Sequence, residues 1–406
     1  MRPMGPIPPA FAEQKGALTI GGQTADNWVA DHGSPVFVYD PAIVAAKVAA
    51  FRAAFPSIDL HYAIKANPFP PLLSAIAPLV DGLDGASAGE LAKAMAVKPA
   101  GAISFAGPGK RDAELEVAIA AGATLNVESA GEARRALAIA ERMGQAPRLA
   151  VRVNPDLELK GSGMKMGGRS SPFGVDAEQA AALVQEIVTG GADWRGFHIF
   201  AGSQALDTSA IIETQAATLA LAERLAEEAG QVPTLVNLGG GFGIPYFAGD
   251  TPVDVARIGE ALEEGIAGCG LTAAGTDYAI ELGRWLVGEC GVYLTRVVDV
   301  KNSRGEAFVV VDGGLHHQLA ASGNFGTVVR RNYPIAVAGR MGAEAEGEVS
   351  VVGCLCTPLD RLGDRVALPA VGVGEVVAVF LAGAYGLTAS PAGFLGHPAP
   401  GEVVAT

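Results

Sequence analysis

The chain has 406 residues, half of them hydrophobic, which suits two domains better than one core. Its 43 acidic and 29 basic residues give a formal charge of −14, and no basic run interleaved with aromatics argues for nucleic acid. No apolar run reaches the length of a membrane helix, residues 1–9 lack a signal-peptide core, and four cysteines are too sparse for a disulfide scaffold, so a cytoplasmic protein is expected.

The first forty residues read as irregular chain and strand. From residue 41 onward, Ala-rich helical stretches alternate with short apolar β-branched runs. Strands are predicted at 60–65, 80–84, 103–106, 124–128, 149–154, 194–200, 234–238 and 278–281. Helices are predicted between them, for example at 41–55, 88–96, 111–121, 130–143, 177–189, 208–230 and 252–270. Eight such repeats predict a (β/α)8 TIM barrel over 41–285. An open doubly wound sheet fits less well, because eight units with no topological switch would be unusual. After Arg284 the pattern turns to strands with Gly and Pro turns. Residues 286–406, joined by 1–40, are therefore expected to form a β domain.

The polar and glycine residues that follow the predicted strands are Lys65, Ser87, Glu128, Asn154, Ser203, 239–243 and 281–284. In a barrel these positions share one mouth, where active sites are built. Lys65 ends the strand-like stretch Leu60-His61-Tyr62-Ala63-Ile64-Lys65-Ala66-Asn67-Pro68. A lone lysine there is either a solvated strand end or a buried amine able to form a Schiff base. Gly239-Gly240-Gly241-Phe242-Gly243 lets backbone N–H groups converge on an anion, and Ile244 stands where a dinucleotide fingerprint needs glycine. Glu281 and Arg284 close the eighth strand as a structural ion pair or as holders of a heteroaromatic nitrogen and an anion. Amine, phosphate cradle and carboxylate together meet the needs of pyridoxal 5′-phosphate.

Nearly the whole chain resembles the fold-type III pyridoxal-phosphate decarboxylases, the diaminopimelate, ornithine and arginine decarboxylase group. Tyr62-Ala63-Ile64-Lys65-Ala66-Asn67 is similar to that group's cofactor-lysine motif. Residues 239–243 resemble its phosphate glycines, and Gly202-Ser203 and Gly383-Ala384-Tyr385-Gly386 resemble its further phosphate contacts. Glu281-Leu282-Gly283-Arg284 resembles its Glu-Pro-Gly-Arg, with Leu282 replacing proline. The resemblance implies cofactor roles for Lys65, Ser203, Gly239, Gly240, Gly241, Gly243, Glu281, Gly283, Arg284 and Tyr385. Arg152 is expected to support that network or to be a packed barrel arginine, and Asp84 and Glu90 are weaker candidates.

Departures from the pattern bear on the substrate. Where the diaminopimelate enzymes read Cys-Glu-Ser-Gly-Asp, this chain reads Cys356-Thr357-Pro358-Leu359-Asp360. By resemblance Cys356 enters the neighbouring subunit's site and reprotonates the substrate carbanion, which implies a homodimer. Thr357 stands for the glutamate that reads the far end of diaminopimelate, which argues against that substrate. Phe200 takes the position of the histidine that stacks on the cofactor ring, and His198 lies two residues earlier on the same face.

Substrate contacts are expected from Arg284, His317, Arg331, Tyr333, Thr357 and Asp360. Residues 158–174 read as a lid over the mouth. Residues 160–168, 196–204, 314–317, 322–326 and 355–360 together look like the exosortase A system-associated pyridoxal-dependent decarboxylases; a second relative is the group that acts on carrier-bound aminoacyl groups. The first likeness implies decarboxylation of an amino acid or amino-acid derivative in an exopolysaccharide- or exosortase-linked or other specialised biosynthetic pathway; the alternatives are diaminopimelate decarboxylase and a decarboxylase of a carrier-bound aminoacyl group. A racemase of the same barrel type is disfavoured by Glu281, and a non-catalytic relative by the retained lysine, glycines, glutamate, cysteine and tyrosine. No metal is expected. Cys354-Leu355-Cys356 has no second pair, and His316 and His317, if on a strand, face opposite ways.

Overall fold

The computed structural model describes residues 2–156, 164–165, 170–323 and 331–405. The chain forms two compact units, Lys47–Gly243 with Pro252–Gly283, and Met1–Ala46 with Ile244–Thr251 and Arg284–Thr406.

The first unit is a closed barrel of parallel strands. In order they are Asp59–Ala63, Gly82–Gly85, Ile103–Phe105, Thr124–Val127, Arg148–Asn154, Asp193–Ile199, Leu235–Gly240 and Asp277–Leu282. Each pairs with its neighbour, and the last pairs with the first, Glu281 opposite His61. The predicted strands fall on these eight. The β-branched and aromatic side chains that made them legible are buried.

Helix starts after the second and fourth strands repeat one local device. In Ser87-Ala88-Gly89-Glu90 and Ser129-Ala130-Gly131-Glu132, the serine hydroxyl accepts from the glutamate N–H, at 3.2 and 3.0 Å. The glutamate carboxylate then reaches back to the amide before the serine, on Ala86 at 2.7 Å and Glu128 at 3.1 Å. Two N-terminal donors are thereby satisfied, and the chain leaves each strand along a fixed path.

The barrel interior is partly polar. Asn126 donates to Ser104 at 3.2 Å, Ser104 donates to Asp84, and His61 Nδ1 lies 3.3 Å from the same Asp84 carboxylate. A cavity of about 230 Å³ opens at the strand starts, lined by Asp59, Arg148, Arg195 and Asp277 among others, and neither Lys65 nor Glu281 borders it.

The second unit is built on the long strand Gly291–Ser303. Its first half pairs with Val36–Tyr39 and Val376–Val379, and its second half with Glu306–Val311. Val36–Tyr39 also pairs with Gly401–Val404, so both ends of the chain meet in this unit. Residues 244–251 were expected within the barrel and belong here instead. Gly5 packs on the Tyr246 backbone with no room for a Cβ, and the Tyr246 and Tyr333 rings lie 5.0 Å apart.

Gly240 is the tightest strand-to-strand contact near the barrel mouth. A Cβ there would lie 2.1 Å from the Glu281 carbonyl oxygen and 2.9 Å from Leu282. Gly240→Ala should destabilise the protein by about 1–3 kcal/mol through forced backbone movement. Gly109→Ala is the control, since nothing lies within 4 Å of its would-be Cβ. Equal melting temperatures for the two variants would contradict this account.

Candidate active site

The first barrel strand stops at Ala63, and the chain continues as a single tight turn, Ile64–Ala66, that carries Lys65. Tyr62 donates its hydroxyl to the Asn67 carbonyl at 2.9 Å, and the Asn67 side chain accepts from Phe69 N–H at 3.1 Å. These bonds fix the Asn67-Pro68 exit. Gly283 lies against the turn, because a Cβ there would stand 3.0 Å from that of Ala66. The Lys65 side chain is half exposed, so the amine is not buried as the sharper sequence reading required. Its place on a turn beyond the strand, rather than inside the barrel, is the reason.

Lys65 Nζ lies 3.8 Å from Glu281 Oε1, and Glu281 is buried. His198 Nε2 lies 3.1 Å from the other carboxylate oxygen. Burial alone would push the Glu281 carboxyl up. Lys65, then His198 and Arg152, outweigh it and hold the group at about 2. Lys65 also stands 5.8 Å from the centre of the Phe200 ring. Lys65, His198, Phe200 and Glu281 are therefore brought together at the strand ends.

Arg152 sits one layer away. It pairs with Glu128 at 2.9 Å, and Phe173 lies 5.2 Å from its guanidinium. Glu128 also accepts from Gly107 N–H and from Gly174 N–H. Lys110, buried and paired with Glu132 at 2.6 Å, extends this ionic layer. The sequence reading missed Lys110; its one signal was a lone lysine after Gly107-Pro108-Gly109. Asp84 is turned to His61 and Ser104, while Glu90 caps its own helix start.

Gly239 and Gly241 adopt left-handed backbone, with φ of 70° and 80°. A Cβ on Gly239 would lie 2.6 Å from the Ile199 carbonyl oxygen, and one on Gly243 would lie 2.8 Å from that of Ala205. Larger residues would clash with neighbouring backbone, so this turn can only be built from glycine. Ser203 belongs to the short strand Gly202–Ser203, which pairs with Met164–Lys165. Of the expected lid, 158–163 and 166–169 lie outside the described residues, as do 324–326 of the 322–326 motif.

In the second unit Arg284 starts the short helix Arg284–Val287. Its guanidinium lies 4.9 Å from the Tyr385 ring centre and 5.9 Å from that of Tyr246. Tyr385 is held in left-handed backbone, φ 52°, an uncommon conformation for a bulky residue. Tyr333 is buried against Tyr246 and Phe247, and Arg331 stacks on Phe247 at 3.8 Å. Tyr246 was missed from sequence. Its only signal was an aromatic pair, Tyr246-Phe247, just after the glycine turn.

Two expected substrate contacts are put to other use. His317 is buried, with Nδ1 3.0 Å from the Tyr293 hydroxyl and Nε2 3.1 Å from the Pro398 carbonyl. Burial, with His316 alongside, pushes it down to about 4, so it is a neutral packed ring at pH 7. Asp360 is buried and accepts from Leu315 N–H at 2.7 Å and Leu355 N–H at 2.8 Å, which pins the loop that carries Cys356. Cys356 is exposed on that loop, with Thr357 beside it. The sequence reading also set His316 and His317 on a strand facing opposite ways. They lie on a turn, with ring centres 3.7 Å apart.

The cluster fits pyridoxal phosphate in its donor set: an amine in reach of solvent, a buried carboxylate kept ionised beside it, and a glycine turn at the same strand ends. Residues 42–288 match the family described as pyridoxal-dependent decarboxylase, pyridoxal binding domain. An L-glutamyl-[BtrI acyl-carrier protein] decarboxylase from Niallia circulans is 37% identical over 91% of this chain and 88% of its own. A diaminopimelate decarboxylase from Archaeoglobus fulgidus is 33% identical over 97% of this chain and 93% of its own. Among solved structures, the M. jannaschii diaminopimelate decarboxylase in co-complex with L-lysine superimposes with a TM-score of 0.86 at 26% identity, covering 96% of this chain and 91% of that one.

The Glu281 environment has a pH signature. Its folded value of about 2 lies below the ordinary 4.5, so the pairing contributes stability that is present above 4.5 and lost as pH falls toward 2. Chemical denaturation at a series of pH values should show a steeper loss across that window for the parent than for Glu281→Gln. Parallel curves would mean that Glu281 is not held ionised by its neighbours.

Proposed function

The chain belongs to the pyridoxal-dependent decarboxylases, and from that premise we propose that Lys65 and Glu281 at the barrel mouth carry the removal of an α-carboxylate from an amino-acid derivative. The observation that carries this reading is the 3.8 Å approach of the Lys65 amine to the buried Glu281 carboxylate, whose other oxygen lies 3.1 Å from His198.

Bound pyridoxal 5′-phosphate supplies an aldehyde for an amine and a pyridinium ring that takes up the electron pair left when carbon dioxide departs. Lys65 Nζ is the amine that would hold the cofactor's aldehyde. Glu281 stays anionic and so can accept a hydrogen bond from a protonated ring nitrogen. His198, 3.1 Å away, holds that carboxylate in place. Phe200 offers an aromatic face beside Lys65, although it lacks the hydrogen bond a histidine would add. The glycine turn 239–243 and Ser203 are assigned to phosphate. Arg152 and Glu128 hold the charge layer behind Glu281. Cys356, exposed on its loop, returns a proton to the substrate Cα in the partner subunit of a homodimer.

The substrate assignment rests on Thr357. A glutamate there would meet a far-end ammonium group, and a threonine does not. We therefore assign an amino-acid derivative other than diaminopimelate, free or carrier-bound, in a specialised biosynthetic route such as an exosortase-linked one. Arg331 and Tyr333 are the remaining candidates for its side chain. Diaminopimelate decarboxylation is the second reading, favoured by the likeness to the Archaeoglobus fulgidus enzyme. A cytoplasmic setting accords with four free cysteines.

A carbon dioxide release screen over diaminopimelate, lysine, ornithine, arginine, glutamate and carrier-bound glutamyl groups tests the assignment. Release from diaminopimelate alone would overturn the reading of Thr357. Lys65→Ala should abolish release and borohydride fixation of the cofactor; activity retained in that variant would remove Lys65 from the chemistry. Cys356→Ala should slow turnover by about 100-fold or more. Mixing Lys65→Ala and Cys356→Ala chains under subunit exchange should restore part of the activity, and no recovery would refute a shared site.

A further inference from the structure

We propose that His316, Cys354 and His397 form a zinc-binding site in the β unit, at the base of the loop that carries Cys356. Sequence spacing hid this group, because its members come from three separate segments. His316 lies on the turn after the strand Glu306–Val311, Cys354 follows the strand Gly347–Val352, and His397 precedes the strand Gly401–Val404. The fold brings their ligating atoms within 4.8 Å of one another. Cys354 Sγ lies 3.7 Å from His397 Nδ1, and the His316 and His397 ring centres are 5.3 Å apart.

A second observation points to a ligand. His316 is fully buried, and neither of its ring nitrogens has a hydrogen-bond partner among the described residues. Its neighbour His317 is equally buried and satisfies both nitrogens, through Tyr293 and Pro398. The contrast separates one packed histidine from one whose lone pair is left facing a thiol and a second imidazole. Buried polar groups rarely go unpaired. A metal ion is a partner that an imidazole lone pair accepts in the absence of any donor.

The donor set selects the ion. Two imidazoles and a thiolate suit zinc and its softer neighbours, and not magnesium or calcium. Zinc bonds of about 2.0 Å to nitrogen and 2.3 Å to sulfur place tetrahedral ligands roughly 3.5 Å apart. The Cys354–His397 separation is already near that value, and His316, within 4.8 Å of both, has to close by no more than about 1.3 Å. Binding forms one Zn–S and two Zn–N bonds, the thiol proton leaves to solvent, and no electron is transferred. The fourth position remains for water.

Such an ion would join the turn at His316, the C-terminal segment at His397 and the Cys356 loop. Asp360 already ties two of these together through Leu315 and Leu355. The effect on Cys356 rests on the catalytic role proposed above; the metal site itself does not.

The test uses the full-length holoenzyme without a histidine tag, stripped with a chelator and titrated with cobalt(II), then zinc(II). One cobalt per chain is expected, with a thiolate-to-cobalt charge-transfer band that zinc removes. Cys354→Ala and His397→Ala should each abolish the band and weaken zinc binding by about 100-fold or more, whereas Cys356→Ala should keep both. Zinc should raise the melting temperature of the parent and not of the His397→Ala chain, in which only a partly exposed residue is changed. No band in the parent, or a band that survives Cys354→Ala, would overturn the site and leave Cys354 as a simple hydrogen-bond partner of His397.

Discussion

A buried carboxylate beside an exposed amine is the constraint that orders the barrel unit. Glu281 has lost its water, and an isolated ionised carboxylate in that position would protonate instead. It stays charged because Lys65 stands in front of it, His198 contacts its second oxygen, and Arg152 adds positive potential. Each neighbour comes from a different strand. The chemistry of one side chain therefore depends on the register of the first, fifth, sixth and eighth strands together.

That register is set by backbone as much as by side chains. The seventh strand approaches the eighth so closely at Gly240 that only hydrogen fits between it and the Glu281 carbonyl. Gly283 does the same for the turn bearing Lys65, and Gly239 for the end of the sixth strand. The glycines that read as a phosphate cradle thus have a prior task, bringing three strand ends within reach of one ligand. The two roles are compatible. A turn that must be free of Cβ atoms for packing also leaves backbone amides accessible to an anion.

Legibility followed the range of the interaction. The eight strands were readable because their apolar runs are local and continuous. The approach of Lys65 to Glu281 was readable because strand ends in a barrel converge by construction. Features set by long-range packing were not. The amine of Lys65 proved exposed, because the strand ends two residues before it. Residues 244–251 left the barrel for the β unit on the strength of Tyr246 contacts that no periodicity encodes. His316 and His317 were read with strand alternation, and a turn instead brings their ring centres within 3.7 Å of each other.

The Cys356 loop carries the lesson furthest. Asp360 looked like a substrate contact because it closes a motif associated with one. Its carboxylate is in fact consumed by two backbone amides, one on the loop and one on the turn at Leu315. A substrate-reading acid would need a free oxygen facing solvent, and Asp360 is buried. Its work is to hold the exposed tip that presents Cys356 and Thr357. The frame of this loop is fixed by Asp360, and the tip side chains, Thr357 among them, are the ones that packing leaves free to differ.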